Sequence, residues 1–140
     1  MPLQSHEDIC VFYKKKPIYN PQMVDGFPRK TSTADQKKKC RSSEVYNEAL
    51  NYGNYDSTRR YPISVLFFPT DKHISTLHST QKPVALFEYL IKTYTNENAV
   101  VLDSCAGSGT TGVACVNSNR QYILMEKDAK ICNIAKQRLS

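Results

Sequence analysis

Three glycines and one carboxylate mark the stretch of sequence best suited to bind a ligand. In VVLDSCAGSGTTGVAC, residues 100–115, Gly107, Gly109 and Gly112 spell G-x-G-x-x-G directly after an apolar run. A glycine turn between a strand and a helix lets the backbone approach a ligand closely, and the helix N-terminus adds positive potential. Glu126 follows the first glycine by about 20 residues, a spacing suited to accepting hydrogen bonds from ribose hydroxyls. A dinucleotide and a smaller adenosyl compound both satisfy this pattern.

Asp103 separates these two ligand classes. It ends the apolar run shortly before Gly107 and places a carboxylate where a dinucleotide would bring two phosphates. Like charges separated by about 4 to 6 Å repel by roughly a few kcal/mol in a partly desolvated cleft. S-adenosylmethionine has no phosphate, and it carries a sulfonium and an ammonium that a carboxylate attracts. Asp103 therefore favours the methyl donor over NAD. The alternative is that Asp103 only caps the following turn.

Helix and strand patterns predict the frame around the glycines. In QKPVALFEYLIKTY, apolar residues recur at steps of three and four, which predicts an amphipathic helix with its proline in the first turn. AVVLD and QYILMEKD are predicted to be short buried strands, each followed by a helix. The first of these helices is expected to bury Val113 and Val116, and the second to begin at a cap on Asp128. This order predicts an α/β unit with two parallel strands.

The first half of the chain is less regular. DICVFYKKK, residues 8–16, and RYPISVLFFP, residues 60–69, are rich in β-favouring residues and are predicted to be strands. Residues 17–60 show no sustained period, which indicates an irregular insert with one helical turn near SSEVYNEAL. Between residues 28 and 41, six basic residues face the single Asp35. Such a surface either attracts polyanions or is simply solvated.

Composition excludes several classes of protein. A chain of 140 residues with 40% hydrophobic and 23% charged residues is expected to be one soluble globular domain without a membrane span. Five cysteines without a C-x-x-C pair argue against both a disulfide framework and a zinc site, so no metal is expected. The N-terminus lacks the pattern of a secretory signal, which favours a cytoplasmic location.

Three motifs resemble those of the DNA amino-methyltransferases that modify adenine N6 or cytosine N4. HSTQKPV, DSCAGSGTT and ILMEKD occur in the order and separation of the permuted class, in which the donor-binding motifs follow the target-recognition region. The first motif has Ser79 where the family has proline. The second has Ser104 and Cys105 where the family has proline and phenylalanine. HEDICVFYKK, YNPQM and RYPISVL resemble connecting segments, so the resemblance covers almost the whole chain.

The resemblance implies an α/β fold: a partial Rossmann-like methyltransferase core with an irregular inserted recognition region. It divides the chain into a core strand at 1–16, a target-recognition insert at 17–60 and a donor-binding part at 61–140. Glu126 would bind the ribose hydroxyls, the loop from Gly107 to Thr110 would pass beneath the methionine moiety, and Thr80 with Lys82 would hold its carboxylate. The residues expected at S-adenosylmethionine are Thr80, Gln81, Lys82, Asp103, Cys105, Gly107, Ser108, Gly109, Thr110 and Glu126.

Double-stranded DNA is the partner that the resemblance implies, in a bacterial or phage restriction-modification context. The side chains expected to contact DNA phosphates are Lys37, Lys38, Lys39 and Arg41. The family takes its catalytic acceptors from an Asp/Asn/Ser-Pro-Pro-aromatic tetrapeptide, whereas these 140 residues contain no Pro-Pro pair. Asn20-Pro21-Gln22-Met23 lacks both the second proline and the aromatic residue, so no catalytic residue is predicted.

The missing tetrapeptide leads to the hypothesis that the chain is a C-terminal fragment of such an enzyme, either decayed or completed by a separately encoded N-terminal half. AVVLD would then lack one neighbour in its sheet and present an apolar edge. Two other functions stay open: a non-enzymatic DNA-binding remnant or regulatory subunit, and an NAD-dependent oxidoreductase domain. The oxidoreductase ranks last because of Asp103 and the lack of a substrate domain.

Overall fold

The structure, a computed structural model, describes residues 6–34, 54–69 and 81–140. The chain divides into two compact units, one formed by Met1–Asn20 with Phe68–Ser140 and the other by Pro21–Phe67. The helical turn predicted near SSEVYNEAL lies outside the described residues. The domain boundaries proposed after residues 16 and 60 remain predictions.

The unit formed by Pro21–Phe67 contains one short antiparallel ladder, in which β1 (Lys30–Ser32) pairs with β2 (Tyr55–Ser57). A backbone bridge between Val24 and Arg60 lies beside it. The Arg60 guanidinium also covers the Phe27 ring at 5.5 Å from the centroid. The described part of this unit is otherwise irregular, in line with a sequence that shows no sustained period.

The other unit alternates helices and strands. Its elements are α1 (Val84–Tyr94), β3 (Val100–Asp103), α2 (Thr110–Asn117), β4 (Gln121–Leu124) and α3 (Ala129–Leu139). Strands β3 and β4 are parallel, with Asp103 opposite Leu124. The Asp128 carboxylate accepts hydrogen bonds from the Lys130 and Ile131 backbone N–H groups and caps α3. The predicted α/β unit and its last helix cap are therefore confirmed.

The core of this unit lies between α1 and α2. Its buried members are Ile91, Ala114 and Cys115, with Val84, Phe87 and Val101 packed around them. The apolar stripe of α1 thus packs as predicted. Pro83 precedes the first helical residue rather than lying inside the first turn.

Helix α2 presents a different face from the predicted one. Val116 is 56% exposed, whereas Ala114 and Cys115 are fully buried. The prediction for Val116 is wrong because α2 turns its small residues toward α1, which lets the two helices pack closely. Desolvation raises the pKa of the Cys115 thiol, so this cysteine is a packing residue and not a nucleophile.

One face of the parallel sheet is open to solvent in the described part of the chain. Val100, Leu102, Ile123 and Met125 are each more than half exposed. The prediction that both strands are buried is wrong, because a parallel sheet is buried only where helices cover both of its faces. The described helices α1 and α2 cover the face that carries Val101. Within the described residues β3 pairs with β4 alone.

The two strands predicted at 8–16 and 60–69 are wrong. Among the described residues, these segments form no ladder, apart from the bridge at Arg60. Most of their large apolar side chains lie in solvent, with Phe12 and Phe67 each 90% exposed. A β-favouring sequence becomes a strand only when a neighbour satisfies its backbone N–H and C=O groups, and the described chain places none beside these two segments.

Candidate functional site

The glycine loop joins the end of β3 to the start of α2. Because β3 and β4 are parallel, Glu126 lies at the same edge of the sheet, just beyond β4. Its Oε2 accepts a hydrogen bond from the Gly107 N–H at 2.9 Å, and its Oε1 accepts one from the Asp128 N–H at 2.9 Å. The predicted ribose-binding carboxylate therefore contacts the predicted loop directly.

Hydrogen bonds from the Asp128 and Gly107 backbone N–H groups hold the pKa of the Glu126 carboxyl below its ordinary value of 4.5. A lowered folded pKa means that Glu126 contributes stability above about pH 4.5, and that this contribution is lost as the pH falls through the folded value. We therefore expect the stability difference between wild type and Glu126→Gln, measured by urea unfolding, to shrink as the pH is lowered from about 6 to below about 4.5. A difference that stays constant across this range contradicts the assignment.

Asp103 uses both carboxylate oxygens inside the loop. Oδ1 accepts a hydrogen bond from the Cys105 N–H at 2.9 Å, and Oδ2 accepts one from the Thr111 hydroxyl. Asp103 therefore caps the turn, which is the alternative to a role in ligand selection. An ionised carboxylate has about four acceptor positions, so these two bonds leave it able to attract a ligand cation as well.

Glycine is required for different structural reasons at positions in this loop. Gly107 has a φ of +54° and nothing within 4 Å of a Cβ placed on it, so its surroundings leave room for a ligand. Gly109 has a φ of +81°, and a Cβ there would lie 3.1 Å from the Ala135 Cβ. A Cβ on Gly112 would lie 2.8 Å from the Leu139 Cδ1. Gly109 and Gly112 therefore allow α3 to pack close to the loop and α2, and only Gly107 faces open space.

This difference predicts unequal costs for two alanine substitutions in one loop. Both Gly107→Ala and Gly109→Ala force a side chain into the left-handed region, at a cost of about 1 to 2 kcal/mol. Gly109→Ala also pushes against α3, and we expect it to cost about 1 kcal/mol more in urea denaturation. Equal losses for the two variants would show that α3 does not press on Gly109.

The residues before α1 also reach the loop. Gln81 is buried, and its Oε1 accepts a hydrogen bond from the Ser108 hydroxyl at 3.4 Å. Lys82 instead pairs with Glu7, Nζ to Oε2 at 2.5 Å, and this contact lowers the pKa of the Glu7 carboxyl. Thr80 lies outside the described residues. In this structure, Glu7 thus pairs with Lys82, the residue that the resemblance assigns to binding the methionine carboxylate.

The structure adds three residues that the sequence did not indicate. Arg138 donates to Ser108 and Thr110, the Thr111 hydroxyl donates to Asp103, and Glu7 pairs with Lys82. The apolar stripe of α3 indicates a packed helix, but no local pattern shows that its last turn meets the loop. These contacts depend on tertiary packing, which spacing alone does not reveal.

Asn20 has a structural role in the described unit. Its Nδ2 donates to the backbone carbonyls of Lys92 at 3.3 Å and Thr95 at 3.1 Å, at the C-terminal end of α1. These bonds satisfy carbonyls that a helix leaves unpaired at its C-terminus. These contacts give Asn20 a structural role at the end of α1.

The residues predicted to contact DNA fall outside the described part of the chain, and two other kinds of feature are not seen within that part. Lys37, Lys38, Lys39 and Arg41 belong to the part that is not described. Within 6–34, 54–69 and 81–140, no group of three or more His, Cys, Asp or Glu side chains is placed to hold a metal ion. Over the same residues, no helix is long and apolar enough to cross a membrane.

Comparison with known proteins identifies the family of the chain. Residues 2–137 match the family model N6_N4_Mtase, described as DNA methylase. Type II methyltransferase M.HindIII of Haemophilus influenzae is 32% identical over 126 residues, which is 89% of this chain and 41% of that protein. Type II methyltransferase M.HpaI of Haemophilus parainfluenzae is 29% identical over 136 residues, which is 96% of this chain and 38% of that protein. The chain spans less than half the length of these curated relatives.

A solved structure shows the same fold. The PvuII DNA methyltransferase, described as cytosine-N4-specific, matches with a TM-score of 0.52 and 21% identity over 56% of this chain and 32% of that chain. This likeness confirms the predicted α/β methyltransferase fold over the matched part. Because the family model spans nearly the whole sequence, the chain belongs to the N6/N4 DNA methylase family.

Proposed function

We propose that this chain supplies the donor-binding part of an S-adenosylmethionine-dependent DNA methyltransferase that acts on adenine N6 or cytosine N4. One observation carries the proposal. Two carboxylates, Asp103 and Glu126, lie at the same edge of a parallel sheet and flank a glycine loop in which Gly107 faces open space. The arrangement suits a ligand that has ribose hydroxyls and a positive charge.

The residues present fit this donor. S-adenosylmethionine, when bound, supplies an electrophilic methyl group on a sulfonium. Glu126 keeps acceptor positions for ribose hydroxyls beside its two backbone N–H bonds. Asp103 offers negative charge at the mouth of the loop. Lys82 becomes available to a carboxylate once Glu7 leaves it, and the exposed Glu7–Lys82 pair is of a kind that water and salt weaken readily.

These residues do not provide every group that methyl transfer requires. Methyl transfer to a base amine needs the base flipped out of the duplex and its amino group held by acceptors. Since no Pro-Pro tetrapeptide occurs in these 140 residues, we propose that a segment outside them supplies it in the cytoplasm of a bacterium. Within the described residues, one side of β3 has no partner strand and one face of its sheet is open, and both are suited to receive that segment.

Calorimetry with S-adenosylmethionine and with NAD tests the donor site directly. We expect the purified chain to bind the sulfonium compound and to leave NAD unbound at the same concentration, because Asp103 attracts the first and repels the second. Binding of NAD alone would favour the oxidoreductase function instead. DNA binding without donor binding would favour a non-enzymatic remnant.

We also propose that the basic segment between residues 28 and 41 binds DNA, because of its positive charge. The salt dependence of the DNA affinity tests this proposal. Each lysine or arginine that neutralises a phosphate adds about 0.9 to the slope of log affinity against log salt. We expect replacement of Lys37, Lys38, Lys39 and Arg41 by alanine to reduce that slope by about 3 to 4. Replacement of Lys14, Lys15 and Lys16 removes three charges instead of four and provides the control, and an equal change per charge removed there would contradict the assignment of the segment.

A further inference from the structure

The guanidinium of Arg138, in the last turn of α3, lies against the glycine loop. Its Nη1 donates to the Ser108 carbonyl at 3.3 Å, to the Ser108 Oγ at 3.3 Å and to the Thr110 Oγ1 at 3.2 Å. Ser108 and Thr110 are both buried, so water competes little for these contacts. Through Ser108, the same network reaches Gln81 ahead of α1. One cation therefore connects three parts of the fold at the loop.

Stability alone does not account for this position. Among the described residues, the ion pairs join other side chains, and Arg138 meets only neutral oxygens. The guanidinium also lies beside Thr110, the first residue of α2, where the helix dipole already contributes positive potential. A cation is favourable at the C-terminal end of a helix, which Arg138 occupies in α3, and unfavourable at the N-terminal end, where Arg138 meets α2. The arrangement gains its advantage when an anionic group is present at the loop.

We propose that Arg138 is a positioning residue for the methionine part of the donor. It holds Ser108 and Thr110 in the turn that receives this part, and its positive charge favours the carboxylate that the methionine part carries. This inference rests on the proposed donor site. It concerns the amino-acid end of the ligand and leaves the adenosine end to Glu126.

The test compares S-adenosylmethionine with methylthioadenosine, which lacks the amino-acid part. Calorimetry on the full chain uses Arg138→Gln, the conservative Arg138→Lys, and Arg120→Gln as a matched control. Arg120 donates to the Thr95 carbonyl at 2.9 Å, away from the loop. We expect Arg138→Gln to weaken S-adenosylmethionine about tenfold and methylthioadenosine less than about twofold. Arg138→Lys should restore part of the loss, and Arg120→Gln should leave the ratio of the two affinities unchanged.

Hydrogen exchange provides a second measurement that needs no ligand. The Gly109 N–H, bonded to the Ala106 carbonyl at 2.9 Å, should exchange faster in Arg138→Gln than in Arg120→Gln. Equal weakening of both ligands, or equal exchange rates in the two variants, overturns the inference. If the wild type binds no S-adenosylmethionine, the proposed function fails, and the exchange rates still decide whether Arg138 holds the loop.

Discussion

No measurable methyl transfer to duplex DNA is expected from these 140 residues alone. The chain places residues around the proposed donor site, but its sequence lacks the Pro-Pro tetrapeptide that the family resemblance assigns to holding the target amine. Positioning of the reacting groups and of a proton acceptor each contribute several orders of magnitude to enzymatic rates. We therefore expect a rate at least about 10⁴-fold below that of a complete enzyme, measured as labelled methyl incorporated into DNA.

Addition of a polypeptide that carries the tetrapeptide is expected to produce activity. The complementing segment should use the side of β3 that has no partner strand in the described part of the chain, and the sheet face that carries Leu102, which is 60% exposed. Leu102→Lys should abolish complementation and leave donor binding unchanged, because Leu102 points away from the core. Val116→Lys is the matched control, since Val116 is also exposed but lies on α2. Robust activity of the unaided chain, or complementation that survives Leu102→Lys, would contradict the proposal.

Local periodicity predicted the elements that satisfy their own hydrogen bonds or pair with a near neighbour. Helix α1 and the cap of α3 follow from residues within one or two turns, and β3 and β4 are close in sequence and pair directly. The segments 8–16 and 60–69 carry the same β-favouring residues but remain irregular. A strand depends on a partner that its own sequence does not specify, so propensity alone overestimated them.

The candidate site likewise contains residues that the sequence spacing predicted and residues that it missed. Gly107, Asp103 and Glu126 are brought together by the parallel strand pair, and their spacing was sufficient to group them. Arg138 reaches the loop from the end of α3, and Glu7 reaches Lys82 from the N-terminal segment. Both contacts arise from packing between distant parts of the chain. The predicted burial of the sheet failed for a related reason, because covering a second face requires elements that the described residues do not provide.

Asp103→Asn is expected to weaken S-adenosylmethionine binding by about tenfold or more. An opposite charge at about 5 Å contributes roughly 3 kcal/mol at an effective dielectric constant of 20, and solvent at the mouth of the loop reduces this. Asparagine keeps the shape of the side chain. Its Oδ1 can still accept the Cys105 N–H bond, and its amide can donate to the Thr111 hydroxyl. The substitution therefore removes charge and retains the turn.

The two possible roles of Asp103 predict different ligand affinities for this variant. If the carboxylate acts mainly as a turn cap, Asp103→Asn should change neither unfolding nor ligand affinity appreciably. If its charge selects the ligand, unfolding should change little, S-adenosylmethionine should bind more weakly, and the discrimination against NAD should decrease because a repulsion has been removed. Asp25→Asn, in the unit formed by Pro21–Phe67, removes the same charge from a carboxylate that pairs with Arg59. An equal loss of donor affinity in Asp25→Asn would mean that net charge, and not the position of Asp103, controls binding.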